Sequence, residues 1–246
     1  MKLGDTFPIL VALFVILVLW QGATALFGVP DYILPRPFDI AEAMLDRRAV
    51  ILDALRISGV EAVAGFLIGA TAGVVLAILL VLVPPLEPVA LPLAVAINAV
   101  PAVAFVPLAL IWFGLGMASK IAMSVLAVSF VVFVNAIAGL KRPEQGHVDL
   151  MRSFGAGPLG VTWRLRLPAA LPSIVTGLRV GIGRSAIAVI VAEMLGAYGG
   201  IGQLIYQSTA QVDYLSVWAA VMAAMLGSLA LYALLVVIDR RLVWWT

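Results

Sequence analysis

The chain alternates between long apolar stretches and shorter polar segments. A helix that crosses a bilayer needs about 20 mostly apolar residues. The length and the Gly, Ala, Leu and Val content of the apolar stretches favour helices over the short alternating strands of an outer-membrane barrel. The pattern therefore predicts an all-α integral membrane protein with six transmembrane helices, at residues 7–27, 57–83, 89–113, 118–140, 174–195 and 215–238.

The longest polar interruption between apolar stretches is the segment 141–173. We expect a short helix from Asp149 to Phe154 with Asp149 near its N-terminal end, a turn at 155–157, and a second helix from Pro158 to about residue 167. Pro168 and Pro172 are then expected to redirect the chain into the fifth span. The pair of helices should lie flat on the membrane surface and expose four apolar side chains among arginines (Leu150, Met151, Phe154 and Trp163, beside Arg152, Arg164 and Arg166). Such a surface is typical of a partner site, although a loop that folds onto lipid headgroups would have the same pattern.

Composition supports one membrane domain over the whole chain, 1–246. The 246 residues are 64% hydrophobic and 11% charged, with a mean hydropathy of +1.16. We divide the domain into a first helix with an outer linker (1–56) and a five-helix core (57–240) that contains the segment 141–173. We expect the first apolar stretch to be retained as a helix, because it is longer than the core of a usual signal peptide.

Charge and cysteine content exclude several classes of site. A net charge of +2 gives no basis for a nucleic-acid surface. The absence of cysteine excludes disulfides, thiolate zinc sites and iron–sulfur ligation. His147 has no second histidine or cysteine with which to form a metal site. No Gly-rich phosphate-binding motif of the Gly-x-x-x-x-Gly-Lys-Ser/Thr type is present, so we expect no ATP site and no enzymatic activity in this chain.

Basic residues in short loops prefer the cytoplasmic side of a membrane. With six spans, eight basic residues fall on the side of both termini (Lys2, Lys141, Arg142, Arg152, Arg164, Arg166, Arg240 and Arg241), and five fall on the other (Arg36, Arg47, Arg48, Arg56 and Lys120). The bias predicts cytoplasmic termini and places the segment 141–173 in the cytoplasm. Trp218, Trp244 and Trp245 are expected to be interface anchors.

The loops and helices carry further local signals. In the linker, we expect Asp39 to cap a helix over 40–48 and Asp53 to cap another that leads into the second span. Three prolines in the third span predict a bent helix beside a cavity or a moving interface. Gly65, Gly69 and Gly73 are spaced for close helix packing, and 196–214 should hold a short interfacial helix.

Polar residues within the spans are candidates for a translocation path. They are Asn98, Ser129, Asn135, Arg184 and Glu193. An ionisable group at membrane depth is costly and usually faces the interior of a bundle. Arg184 could line a substrate path, or it could form a structural pair with Glu193 or Glu61. Nine residues separate Arg184 from Glu193, about 13 Å along a helix, so contact between these two residues within a straight helix is not expected.

The segment 141–173 resembles a motif of permease subunits of ATP-binding-cassette importers, written Glu-Ala-Ala, three residues, Gly, nine residues, Ile-x-Leu-Pro. Here Asp149, Leu150 and Met151 stand for Glu-Ala-Ala, Gly155 keeps the glycine, Leu165 replaces Ile, and Leu167-Pro168 complete the motif with the spacing intact. The stretches 167–172, 176–179, 192–196, 101–108 and 111–114 are similar to the branch of this family that handles taurine, other sulfonates and nitrate.

The resemblance implies a type I importer permease fold and a division of labour among subunits. The segment 149–168 would be a coupling helix seated in a groove of a separate ATPase, with ATP and Mg on that partner and no cofactor in this chain. The implied coupling residues are Asp149, Leu150, Met151, Arg152, Phe154, Gly155, Trp163, Leu165, Leu167 and Pro168. A substrate-binding protein would dock outside near 114–119 and 196–214, and a second, identical permease copy would complete the pathway as a homodimer in a bacterial inner membrane.

Three alternatives stay open from the residues alone. An ion-coupled secondary transporter would show inverted repeats and acidic residues at mid-membrane. The acidic residues within the predicted spans of this chain are Glu61 and Glu193. A rhomboid-type membrane enzyme would need a Gly-x-Ser-x-Gly motif and an intramembrane histidine, and the chain has neither. Of the three alternatives, the sequence argues least strongly against a membrane assembly factor.

Overall fold

The computed structural model describes residues 3–242, and every secondary-structure element in that range is a helix. Lys2, Trp244 and Trp245 lie outside the described residues, as do the side chains of Arg240 and Arg241. The α-helices are α1 (Leu3–Leu26), α2 (Pro37–Asp46), α3 (Arg48–Leu82), α4 (Glu87–Ala99), α5 (Val106–Phe113), α6 (Met117–Leu140), α7 (Gln145–Ser153), α8 (Pro158–Val161), α9 (Leu167–Leu195), α10 (Ile201–Ala210) and α11 (Tyr214–Leu242).

Among the described helices, four are long and apolar enough to cross a membrane: α3, α6, the continuous helix Pro158–Leu195 and α11. Two shorter apolar segments, Pro84–Ala99 and Ala102–Phe113, meet at a bend of 89° and would make a fifth crossing if they form one span. The apolar part of α1, Val11–Leu26, is shorter than the four long helices. The all-α membrane class is confirmed, and the count of six spans stays a prediction.

The bend in the third span was predicted from its prolines. Pro101 lies at the break, and neither it nor Pro107 can donate a backbone hydrogen bond to the preceding turn. The break separates two short arms around the 3₁₀ turn Ala102–Phe105. The third span is thus bent sharply at Pro101.

Two predicted helix boundaries were wrong. The second span begins at Arg48, not at 57, so the proposed division at 56/57 falls inside α3, and Asp53 is an interior residue that does not cap a helix. The linker helix begins at Pro37 with Arg36 at the N-cap, so Asp39 lies in its first turn. Proline is well suited to the first position of a helix, which explains the earlier start. The exposed charges of Asp53 and Arg56 made the beginning of α3 look like a loop, although a helix can continue into water with polar side chains.

The core is formed by α3, α6 and α9, which pack against one another more extensively than any other described elements. Gly65, Gly69 and Gly73 face α6 so closely that a Cβ at Gly73 would lie 2.6 Å from the Ser129 carbonyl oxygen. Gly177 and Gly181 give α9 a similar approach to α6. The predicted role of the α3 glycines in close packing is confirmed.

The remaining helices surround this core. Trp20 of α1 packs against Trp218 of α11, with ring centroids 5.9 Å apart. The helix predicted within 196–214 is α10, whose Ile201 and Ile205 are buried against α11 and α3. Both ends of the core carry loops: 114–116 and 196–213 at one end, 84–86 and 141–157 at the other. We call these the 196–213 end and the 141–157 end.

Candidate functional site

An open cavity of about 570 Å³ lies between α3, the broken third span, α6 and α9. Three polar residues line it: Asn98 at the end of α4, Ser129 on α6 and Arg184 on α9. The other lining residues are apolar and include Phe105, Phe130 and Phe133. Three of the five predicted path residues are therefore brought to one cavity by three different elements.

Arg184 is the only charged residue among the described residues that line this cavity. Its side chain is exposed to the cavity and, within the described part of the chain, forms no ion pair with any acid. The suggested pairing of Arg184 with Glu193 or Glu61 is therefore wrong for this structure. Arg179, five residues earlier on the same helix, shows the contrast, because its guanidinium binds both carboxylate oxygens of Asp239 at 2.6 and 3.0 Å.

Asn135 and Glu193, the other two predicted path residues, do not line this cavity. The Asn135 amide donates to the Val131 carbonyl within α6, and its Cβ faces Gly177 at the contact between α6 and α9. Glu193 is buried at the 196–213 end of the bundle, with 1% of its surface exposed. Their positions follow from which helix face meets a neighbour, which spacing along one helix could not reveal.

Glu193 belongs to a buried polar cluster that sequence reasoning missed. Its Oε1 accepts a 2.6 Å hydrogen bond from the Ser58 hydroxyl, and its Oε2 accepts a 2.7 Å bond from the backbone N–H of Gly202. The same Ser58 oxygen accepts a bond from the N–H of Ile201. The carboxylate thus caps the N-terminus of α10, where a negative charge is favoured, and holds α10 to α3 and α9.

Lys120 and Glu61 complete this cluster. Lys120 is fully buried, and its ammonium donates to the carbonyl oxygens of Leu115 and Gly196. Glu61 is 2% exposed, and its Oε2 has no hydrogen-bond partner. Buried charges are rare unless paired or hydrogen-bonded, so a lysine at the start of an apolar span was the signal that could have found this cluster.

The second candidate region is the loop at the 141–157 end. The first helix, α7, begins at Gln145, four residues earlier than predicted, so Asp149 lies in its middle and accepts a 2.8 Å bond from Gln145. The expected position of Asp149 near the helix N-terminus was wrong. Val148 anchors α7 in the protein with 1% exposure, and the opposite face is open to solvent.

Gly155 ends α7 for a clear conformational reason. Its φ of +82° lies in the left-handed region, which favours glycine. The N–H of Gly155 binds the Arg152 carbonyl, and the N–H of Ala156 binds the Met151 carbonyl. This pair of bonds is the Schellman arrangement that terminates helices. The glycine of the motif therefore sets the turn between α7 and α8.

The second helix of this loop does not end where predicted. α8 passes through a π-helical turn, Thr162–Arg166, directly into α9, so Pro168 and Pro172 do not redirect the chain. Pro168 has no N–H for the Arg164 carbonyl, and a wider turn just before it accommodates the missing bond. Leu165 and Leu167 are half-buried in this continuous helix, which joins the loop rigidly to the helix that carries Arg184.

Three of the four predicted apolar side chains of this loop are exposed: Leu150, Phe154 (82%) and Trp163. Met151 is half-buried. An exposed cluster of large apolar side chains among charges marks a docking surface. The surface is opposite to the buried cluster along the length of α6.

Comparison with known proteins agrees with this arrangement. The family model described as "Binding-protein-dependent transport system inner membrane component" matches residues 65–244, which is most of the chain. The chain belongs to this family. It is accordingly an importer permease of the ATP-binding-cassette type that forms a translocation pathway in a membrane, and permeases of this family work with ATPase subunits and a substrate-binding protein.

Relatives of the permease are similar over nearly their whole length. A probable ABC transporter permease protein of Haemophilus influenzae is 33% identical over 94% of each chain. The formylaminopyrimidine transport permease protein ThiX of Halalkalibacterium halodurans is 32% identical, covering 89% of this chain and 88% of that one. The taurine transport system permease protein TauC of Escherichia coli is 31% identical, covering 94% and 86%. All three relatives are named permeases, and none is named an ATPase.

The fold agrees with that of a solved importer. A chain of the MetNI methionine ABC transporter, in an inward-facing conformation, superposes with a TM-score of 0.61 at 18% identity, over 78% of this permease and 94% of that chain. The predicted type I importer permease fold is thereby confirmed.

Proposed function

We propose that this permease carries a small organic anion, such as a sulfonate or a taurine-like solute, through the cavity between α4, α6 and α9. The observation that carries the proposal is Arg184, which has no acid partner among the described residues and lies in an otherwise nearly apolar cavity. A cation held at membrane depth without an acid attracts an anionic group, and the surrounding Phe105, Phe130 and Phe133 suit an apolar body better than a small hydrated ion such as nitrate. Asn98 and Ser129 would add hydrogen bonds to the anionic group.

The named substrates of the relatives differ, since one carries taurine in its name and another formylaminopyrimidine. Similarity to these relatives therefore does not identify the solute that this permease carries. The charge of the cavity lining is the observation that favours an anion, and the resemblance to a taurine permease supports it.

A second copy of this permease would close the cavity. The helix α4 lines the cavity and has no buried residue in the single chain. Exposing Arg184 to lipid would cost about 2.5–3.5 kcal/mol on insertion scales. A second subunit across this face removes that cost and makes the pathway a shared space, as a homodimer would.

The loop at the 141–157 end would be the coupling helix for the ATPase subunits. Leu150, Phe154 and Trp163 would enter a groove of the ATPase, with Asp149, Met151 and Arg152 beside them, Gly155 setting the turn, and Leu165, Leu167 and Pro168 on the helix behind. ATP and Mg would bind on that partner. Because α8 continues into α9, movement of the loop would be transmitted toward Arg184 by one rigid element.

We also propose an orientation in the membrane. The 141–157 end would face the cytoplasm together with both termini, in agreement with the bias of basic residues in the loops. The 196–213 end would then face outward in the inner membrane and receive the substrate-binding protein, while lipid surrounds the apolar exterior.

Purification of the permease from its native membrane, followed by reconstitution, tests the proposal. We expect an ATPase and a substrate-binding protein to co-purify, and we expect the reconstituted complex to take up the ligand of that binding protein only with ATP. A permease that purifies alone and transports on an ion gradient would overturn the proposal in favour of a secondary transporter. Uptake of a cationic or neutral solute would overturn the substrate class alone.

A further inference from the structure

A second pocket, of about 390 Å³, opens at the 196–213 end of the bundle. It lies between the start of α3, the turn before α6 and the turn after α9, and it is lined by Arg56, Val60, Glu61, Leu115, Met117 and Tyr198. It shares no lining residue with the Arg184 cavity. The family resemblance implies docking of a substrate-binding protein near 114–119 and 196–214, but it gives no role to the pocket itself.

The buried cluster next to this pocket holds two carboxyl groups and one ammonium group. Its two carboxylates belong to Glu61 and Glu193, and its one ammonium belongs to Lys120. Lys120 donates to two backbone carbonyls, and both oxygens of Glu193 accept hydrogen bonds from Ser58 and Gly202. Glu61 Oε2 is the oxygen left buried without a partner, and Glu61 lines the pocket.

Arg56 does not neutralise Glu61, although it also lines the pocket. Its guanidinium lies 3.3 Å from Asp53, and its side chain is largely exposed. A carboxylate that is buried and unpaired favours a group that brings both a positive charge and N–H donors. The pocket rim offers apolar surface from Leu115 and Met117 and an 80% exposed tyrosine ring, Tyr198, which suits the aliphatic stem and the charge of a basic side chain.

We infer that this pocket is a socket for one basic side chain, lysine or arginine, of the substrate-binding protein. The inference rests on the proposed function, which places the 196–213 end outside. A basic side chain that entered the pocket would pair with Glu61 and complete the charge balance of the cluster. Docking would thereby change the interactions of the residues that hold α3, α6, α9 and α10 together.

The test compares docking in nanodiscs that hold the complete transporter, with the binding protein that co-purifies with it as the probe. We expect Glu61→Gln to weaken docking at least tenfold, mainly through faster dissociation, because a buried charge pair is lost. Glu42→Gln removes an equally charged, exposed side chain of α2 at the same end and serves as the matched control. It should change the affinity less than threefold.

A second measurement uses the unaltered permease. Methylguanidinium, which carries the charge and donors of an arginine side chain, should compete with docking to the wild type and not to the Glu61→Gln variant. Equal effects of the two substitutions, or no competition, would overturn the socket. A wild-type transporter that binds no binding protein and takes up no solute with ATP would instead overturn the proposed function.

Discussion

The hydroxyl of Ser58 on α3 donates a 2.6 Å hydrogen bond to the carboxylate of Glu193 on α9. These residues are 135 positions apart in the chain, and their bond closes one end of the core. The N-terminus of α10 is held by the same two side chains. These bonds therefore tie α3, α9 and α10 together at the 196–213 end.

Replacing Glu193 by glutamine should lower the thermal stability of the permease. The amide has one acceptor oxygen, so either the Ser58 hydroxyl or the Gly202 N–H loses its bond to a carboxylate oxygen. A hydrogen bond to a charged group contributes about 1.5–3 kcal/mol. Thermal unfolding in detergent measures the change. Glu144→Gln is the control, because Glu144 is exposed and makes no side-chain cap to α7. Equal unfolding temperatures of the two variants would contradict a structural role for Glu193.

Adding a methyl group at Gly202 should also destabilise the permease. A Cβ at this position would come 2.8 Å from Glu193 Cβ and still closer to the Ile190 carbonyl oxygen. Overpacking of this kind costs about 1–3 kcal/mol. Gly59→Ala is the matched control, since nothing lies within 4 Å of its Cβ position and alanine is the better helix former. We expect opposite signs in a thermal unfolding assay, and a stable Gly202→Ala protein would show that α10 is free to shift.

The two arginines of α9 should behave differently on substitution. Arg184→Gln should abolish most uptake of an organic anion with little change in unfolding temperature, because Arg184 has no acid partner among the described residues. Arg179→Gln should lower the unfolding temperature, because Asp239 is buried (3% exposed) and its carboxylate would lose its ion pair with Arg179. Uptake and unfolding measured on both variants check this. Normal uptake by Arg184→Gln would remove Arg184 from the pathway.

Substitutions in α7 should separate coupling from folding. Phe154→Ala should reduce co-purification of the ATPase by tenfold or more without destabilising the permease, because the ring is 82% exposed. Val148→Ala should lower the unfolding temperature, because Val148 is buried and the loss of its methyl groups leaves a cavity, at a cost of about 1–3 kcal/mol. Retention of the ATPase by Phe154→Ala would contradict the assignment of this surface.

Asp213 should contribute a pH-dependent cap to α11. Its carboxylate accepts hydrogen bonds from the Ser216 hydroxyl, the Ser216 N–H and Arg47. These partners lower the pKa of Asp213 from its ordinary value of 3.8, and the Ser216 hydroxyl has the largest effect. A lowered pKa in the folded protein means that the stabilisation is complete above about pH 4 and is lost as the pH falls through the folded value. Asp213→Ala should cost about 1 kcal/mol near neutral pH. The difference in unfolding temperature between wild type and variant should shrink below pH 3.8, and a constant difference would exclude the ionised cap.

Local features of this protein could be predicted from its sequence. The ends of α1, α3 and α6 follow glycine and proline signals in the next few residues, and the break in the third span follows Pro101. The turn at Gly155 follows from a requirement for a left-handed conformation that depends only on its immediate neighbours. The start of α3 was missed because its first turns carry exposed charges. The passage of α8 into α9 was missed because a π-helical turn before Pro168 lets the helix continue.

The partners of buried and cavity-facing polar side chains were decided by the tertiary structure alone. Arg184, Asn98 and Ser129 meet at one cavity because three helices turn those faces toward each other, while Glu193, on the same helix as Arg184, meets Ser58 and Gly202 at another place. The rotation of each helix about its axis and its depth beside its neighbours are set by packing among residues far apart in the chain. The sequence by itself therefore determined which segments are helical and apolar, and the packing of α3, α6 and α9 determined which polar groups are paired and which remain available to a ligand.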